Sequence, residues 1–192
     1  MKEKNKNGIG DGMLAIALIF ILLVIDQTIK VLVKTNMELG QSIHITDWFQ
    51  ILFIENNGMA YGAIGFYLWR VVHTKHKRGY VVALAMVLAG AAGNIFDSMF
   101  YGLVFDQSTY FSVSQVVPFG TGYAPFLYGR VVDMFYFPLI VTHYPDWFPF
   151  HAGDEFIFFS PVFNFADACI SVSVVAIFLF YRQELENMGS VI

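Results

Sequence analysis

Charge is what this chain has least of: only 14% of its 192 residues are Asp, Glu, Lys or Arg, and the net charge is −4. No basic stripe interleaved with aromatics occurs, which removes nucleic acid from the candidate partners. There is one cysteine, Cys169, set in an apolar run. No disulfide framework can form within the chain, and Cys169 is expected to be a small buried hydrophobe. Neither an H-E-x-x-H nor a G-x-S-x-G string is present, and His44, His73, His76, His143 and His151 show no paired spacing with a carboxylate that would suggest zinc. We therefore expect neither a metal nor a cofactor. Heptads, tandem repeats and low-complexity tracts are missing too, and nothing marks a second domain.

What the chain does have is apolar bulk. It is 57% hydrophobic with a mean hydropathy of +0.59, more than one soluble core of this length needs. Phe and Tyr are abundant, as suits a membrane protein with wide interfacial zones. A hydrocarbon core of roughly 30 Å takes about 20 apolar residues in helix. Segments 13–33, 80–100 and 163–181 qualify. Segment 58–72 is apolar apart from Arg70 but short. The run after Lys2, Lys4 and Lys6 is too long for a cleavable signal peptide and reads as an anchor.

Lys2, Lys4 and Lys6, then Lys75, Lys77 and Arg78, then Arg182 should all be cytoplasmic. A chain that is inside at three such stations crosses an even number of times, so 58–72 must be a crossing. The expected fold is one all-α membrane domain, 1–192, with four transmembrane helices and cytoplasmic N and C termini. Two segments, about 34–57 and 101–162, then lie outside. The first alternates at Ile43–Ile45 and Phe49–Ile54 and is expected to be a small β-rich element. The second is punctuated by Gly120, Gly122, Pro125, Pro138, Pro145 and Pro149. Its Trp147, Phe148 and Phe150 suit the membrane surface.

Ionisable groups in spanning helices are costly, so their placement is informative. Asp26, Lys30, Asn94, Asp97, Asn164 and Asp167 all fall at the outer ends of their helices, at one depth. Asn94 with Asp97 and Asn164 with Asp167 repeat one pattern, an Asn three residues before an Asp, which shares a helix face. Pro161 breaks the chain ahead of Asn164, making Asn164 the expected N-cap and Asp167 the third residue of the last helix. A carboxylate there accepts from free backbone N–H groups. Asp26 and Lys30, at i, i+4, read first as a self-neutralising pair. For Asp97 a cap or scaffold role and a functional one weigh equally, and nothing local decides the role of Asp133. These residues describe a carboxylate-rich site at the outer face without naming its reaction.

Five strings in order, Asp26-Gln-Thr-Ile-Lys30, Asn56-Asn-Gly58-Met-Ala60-Tyr61, Gly93-Asn94-Ile-Phe-Asp97, Val131-Val-Asp133 and Phe163-Asn164-Phe-Ala166-Asp167, resemble the sequence boxes of lipoprotein signal peptidase, or signal peptidase II. The resemblance spans about Ile25 to Tyr181. It implies a membrane aspartyl endopeptidase of the bacterial inner membrane, acting at its outer face. Such an enzyme cuts lipidated prolipoproteins just before the diacylglyceryl-modified cysteine. The catalytic pair of the family falls on Asp133 and Asp167. Asn56, Gly58, Asn94, Asn164 and Ala166 would shape the site, while Asp26, Lys30 and Asp97 would support it. The outer β element and aromatic loop would correspond to a cradle and a lid. The partners implied are prolipoprotein substrates and membrane lipid, with the enzyme a monomer.

Three departures stand out. Ser98 occupies the place of the usual arginine, with Arg130 as the candidate replacement guanidinium. The stretch from Asp97 to Asp133 is longer than the family's, leaving room for an enlarged lid or a contact with another protein. Segment 58–72 is short, through either local bilayer thinning or missing residues. Two other classes compete with this reading. A small transporter or proton relay also uses intramembrane Asp and Asn, but needs polar groups at the midplane. A structural subunit would leave Asp133 and Asp167 apart.

Overall fold

The computed structural model describes residues 6–57, 77–147 and 149–184. Among the described residues, three helices carry the chain between the two ends of the molecule. α1 runs Lys6–Asn36, α2 Arg78–Val104 and α3 Phe165–Phe180. In the last turns of α1, Thr35 Oγ1 donates to Val31 O at 2.7 Å and Asn36 Nδ2 to Leu32 O at 2.9 Å. Both occupy carbonyls that have a place for a further donor near the helix end.

α2 packs against both other helices. Its buried stripe includes Ala83, Ala85, Ala89, Gly90, Ala91 and Gly93. Such small side chains let helix backbones come close where hydrophobicity alone gives no drive to associate. At one end Arg78 Nε meets Asp11 at 3.5 Å, and the Tyr181 hydroxyl covers Gly79. At the other, Lys30 pairs with Asp97. Thus α1 and α2 run parallel and α3 antiparallel to both. The expected crossing at 58–72 lies outside the described residues. Its flanks stand at opposite ends, since Asn56 pairs with Val131 beside the Asp97 end whereas Lys77 adjoins α2's start.

α1 and α2 are each long and apolar enough to cross a membrane, and α3, at 16 residues, is shorter. Ile16, Phe20 and Val24 on α1 and Val172, Val175, Phe178 and Leu179 on α3 are exposed. Apolar lateral faces of that extent are what a hydrocarbon surround requires.

Beyond the Asp97 end sits a four-stranded antiparallel sheet in the order β1 (Ser42–Thr46), β2 (Phe49–Asn56), β3 (Val131–Tyr136) and β6 (Val162–Phe163). Ile43–Ile45 and Phe49–Ile54 are strands, as their alternation leads one to expect. β4 (Ile140–His143) and β5 (Glu155–Phe158) form a separate two-stranded hairpin. A core of Val33, Met37, Phe53, Tyr101, Phe105, Val132 and Met134 joins the sheet to the Asp97 ends of α1 and α2.

The segments expected to lie outside are more structured than the sequence reading has them. They begin close to the expected bounds, as α1 extends to Asn36 and α2 to Val104. Segment 101–162 contains strands, and Asp133 lies on one of them. Val131 to Met134 are all buried, so β3 shows no alternation and its period gives no signal. Residues 105–130 are folded back onto α2's last turns. The amides of Val117, Gly120, Tyr123, Ala124 and Gly129 donate to the carbonyls of Val104, Leu103, Phe105, Gly102 and Ser98 at 2.9 to 3.0 Å. Gly122 and Gly129 permit this approach: a Cβ on Gly129 would lie 2.3 Å from the Asp97 carbonyl oxygen. The segment is a collar on a helix end, held by backbone bonds along its length.

Candidate active site

The first turn of α3 is built as its residues suggest. Asn164 is the N-cap, its Oδ1 accepting from Asp167 N at 2.9 Å, while Asp167 Oδ2 accepts from Asn164 N at 3.3 Å. This reciprocal capping box pins both side chains to the helix start. Another free amide of that turn, Ala166 N, donates to Asp26 Oδ1 of α1 at 3.0 Å. Ala166 is buried, and its carbonyl oxygen lies 2.4 Å from where a Cβ of Gly90 would be.

Asp133 arrives from β3 and meets this turn. Asn164 Nδ2 donates to Asp133 Oδ1 at 2.7 Å and to Asn94 Oδ1 at 3.1 Å. Asn94 Nδ2 donates onward to Asp167 Oδ1 at 2.8 Å. The two asparagine amides thus connect carboxyls from positions 133 and 167. Burial, and after it the neighbouring Asp167 carboxylate, push Asp133 up to about 7, against the pull of the Asn164 hydrogen bond and of Lys30. A carboxyl so placed holds a proton at near-neutral pH. Asp167, with both oxygens accepting from N–H donors, is arranged as an acceptor.

Lys30 supports the pair from below. It is fully buried and reaches Asp97 Oδ2 at 2.7 Å, Asn94 Oδ1 at 2.8 Å and Asp26 Oδ2 at 3.1 Å. It is therefore a hub across α1 and α2 rather than half of a local i, i+4 pair. Asp97 acts as scaffold: its carboxylate also accepts from Gln27 Nε2 at 2.8 Å and from Val132 N at 3.4 Å, one residue before Asp133. Gly93 is required here, since a Cβ on it would stand 2.5 Å from Asp26 Oδ2.

Of the residues singled out in the sequence, Asp26, Lys30, Asn94, Asp97, Asp133, Asn164, Ala166 and Asp167 come together. Asn56 is exposed at the end of β2, opposite Val131, and Gly58 lies outside the described residues. The guanidinium of Arg130, the candidate replacement for the arginine absent at Ser98, meets Glu55 at 3.3 Å and lies 5.7 Å from the Tyr123 ring.

Sequence reasoning missed Gln27 and Tyr101, whose hydroxyl donates to Gln27 Oε1 at 3.1 Å. It also missed Lys34, Glu55 and Ser108. Lys34 Nζ pairs with Glu55 and donates to Ser108 Oγ at 2.8 Å. One signal was available: Asp26, Lys30 and Lys34 recur every fourth residue and so share one face of α1. Among the described residues no cluster of His, Cys, Asp and Glu has the arrangement to hold a metal.

Known proteins are similar to this chain in sequence and in fold. A family model described as signal peptidase (SPase) II matches residues 18–182. The lipoprotein signal peptidase of Porphyromonas gingivalis is 46% identical over 191 aligned positions, covering 90% of this chain and 84% of the relative. That of Amoebophilus asiaticus is 32% identical, covering 85% and 75%. Two solved structures of bacterial membrane enzymes, determined in meso, share the fold. One has a TM-score of 0.58 at 20% identity and covers 90% of both chains. The other scores 0.52 at 19% identity, covering 86% of this chain and 90% of the other. By the extent of the family match and by its relatives, this chain belongs to the signal peptidase II family.

Proposed function

We propose that this protein is a membrane aspartyl endopeptidase that removes the signal peptide from prolipoproteins, cutting before the diacylglyceryl-modified cysteine, with Asp133 and Asp167 as its catalytic pair. The observation that carries the residue assignment is the Asn94–Asn164 amide relay, which ties the two carboxyls together. Asp167 takes a proton from water, whose oxygen bonds to the scissile carbonyl carbon as Asp133 gives its proton to the carbonyl oxygen. Collapse of the tetrahedral intermediate returns that proton to Asp133 and breaks the C–N bond. The leaving amine takes its proton from Asp167, so both acids regain their starting states. Neither step uses a metal or a cofactor.

Asp133, Asn164, Asn94 and Asp167 are joined within a single chain, which supports action as a monomer. The enzyme sits in the bacterial inner membrane, crosses it four times with both termini in the cytoplasm, and holds its aspartates at the outer face. Parallel α1 and α2, with β2 ending at the far end from Lys77, support a returning crossing between residues 57 and 77. The basic residues near the opposite end support the orientation. A transporter or proton relay is disfavoured, because the buried polar groups gather at one end of the bundle. The test is incubation of purified protein with a lipidated prolipoprotein, with and without Asp133→Asn. The expected product is a mature chain beginning at the lipidated cysteine, formed only by the wild type, in chelator as in buffer.

A further inference from the structure

Beside the aspartates lies a second buried polar cluster, which the reaction does not use. Lys34 of α1 and Ser108 of the collar are buried, as is the side chain of Glu55 on β2. Glu55 Oε1 accepts from Lys34 Nζ and from Ser108 Oγ, the latter at 2.8 Å, and Glu55 Oε2 accepts from Arg130 Nη1 at 3.3 Å. Lys34 also lies 5.4 Å from the Phe105 ring and 5.1 Å from that of Tyr123. The Arg130 amide donates to the Tyr123 hydroxyl at 2.6 Å. One carboxylate therefore ties together α1, both ends of the collar and the residue that enters β3.

Its place in the sheet gives this knot a consequence. Glu55 pairs with Val132 and Ile54 with Asp133, and immediately before them the β2–β3 register is broken between Ile51 and Ile54. Across that break β2 advances three residues while β3 advances two, so the bulge sets the pairing of Ile54 and Glu55 one residue away from that of an unbroken ladder. A slip of one residue would turn Asp133 onto the opposite face, away from Asn164. We propose that Glu55 is a positioning residue for Asp133, its ion pairs with Lys34 and Arg130 selecting the β2–β3 register that presents Asp133 to Asn164 and Asp167. The collar is then part of the catalytic frame, and a movable lid is not its role. This inference rests on Asp133 being catalytic.

The test compares wild type, Glu55→Gln and the double variant Lys34→Met/Glu55→Gln for cleavage of a lipidated prolipoprotein across pH, with melting temperature measured on each. Removing one partner of a buried pair destabilises strongly, whereas removing both charges largely relieves the loss. Asp133 is faced by Asp167 of α3, Asp97 of α2, Lys30 of α1 and the Asn164 amide, none of which these variants alter. We expect Glu55→Gln to lower kcat by about ten- to a hundredfold, as the share of molecules in the productive register falls by that factor, with KM little changed. The alkaline limb of its pH profile should move to lower pH as Asp133 becomes wetter. The double variant should regain melting temperature but neither kcat nor the limb. Recovery of kcat together with melting temperature would reduce Glu55 to a structural residue and overturn the proposal, as would a Glu55→Gln enzyme with the wild-type kcat and limb. If Glu55→Gln does not fold, the double variant alone decides. An inactive wild type would instead indict the peptidase reading.

Discussion

At the scale of single residues, Asp133 and Asp167 differ in how they are held, and the difference sets their roles. Asp133, pushed up to about 7 chiefly by burial, should be needed in its protonated form. Activity should then fall as pH rises through about 7, giving the alkaline limb of a bell whose acid limb reports protonation of the base. The same shift has a sign for stability. Between the ordinary carboxyl value near 4 and about 7, the folded protein keeps a proton that the unfolded chain has released, so Asp133 makes folding less favourable as pH rises through that window. Asp133→Asn cannot ionise and still accepts from Asn164. It should melt above the wild type at pH 8 while losing turnover, which a thermal melt beside a cleavage assay would check. Asp167 was readable because Pro161 and Asn164 stand a few residues away. Glu55 was not, since its partners at 34, 108 and 130 meet it only in the folded chain.

At the scale of elements, the contact of α2 with the first turn of α3 places the asparagine relay. A Cβ on Gly90 would press on the Ala166 carbonyl, a backbone atom that cannot swing aside. Gly90→Ala should push α3's first turn away from Asn94, lowering kcat more than it raises KM, as steady-state kinetics would resolve. Asn164→Ala removes the cap and the donor to Asp133 together. About 1 kcal/mol of stability should go with the cap, measurable by denaturant titration, alongside a severe fall in turnover. Cys169, buried two residues after Asp167, points about 200° around the helix from it. Cys169→Ser should keep normal turnover. The three described helices were legible because apolar runs are local signals. β3 was not, because a strand buried on both faces carries no period, and the collar was not, because its bonds go to α2 carbonyls rather than to neighbours in sequence.

At the scale of the whole molecule, buried charge among the described residues is confined to one end of a helix bundle with apolar flanks, the geometry needed to hydrolyse a peptide bond at the edge of a bilayer. A cytoplasmic C-terminus is the corresponding expectation, and a fluorescent reporter fused there should mature and fluoresce, whereas an exported one would not. The aspartate dyad is the centre of the account, and single-turnover cleavage of a lipidated prolipoprotein by the wild type, Asp133→Asn and Asp167→Asn tests it most directly. The expected result is wild-type cleavage before the lipidated cysteine and loss of cleavage in both variants, with substrate binding retained. Normal turnover by either variant would contradict the dyad.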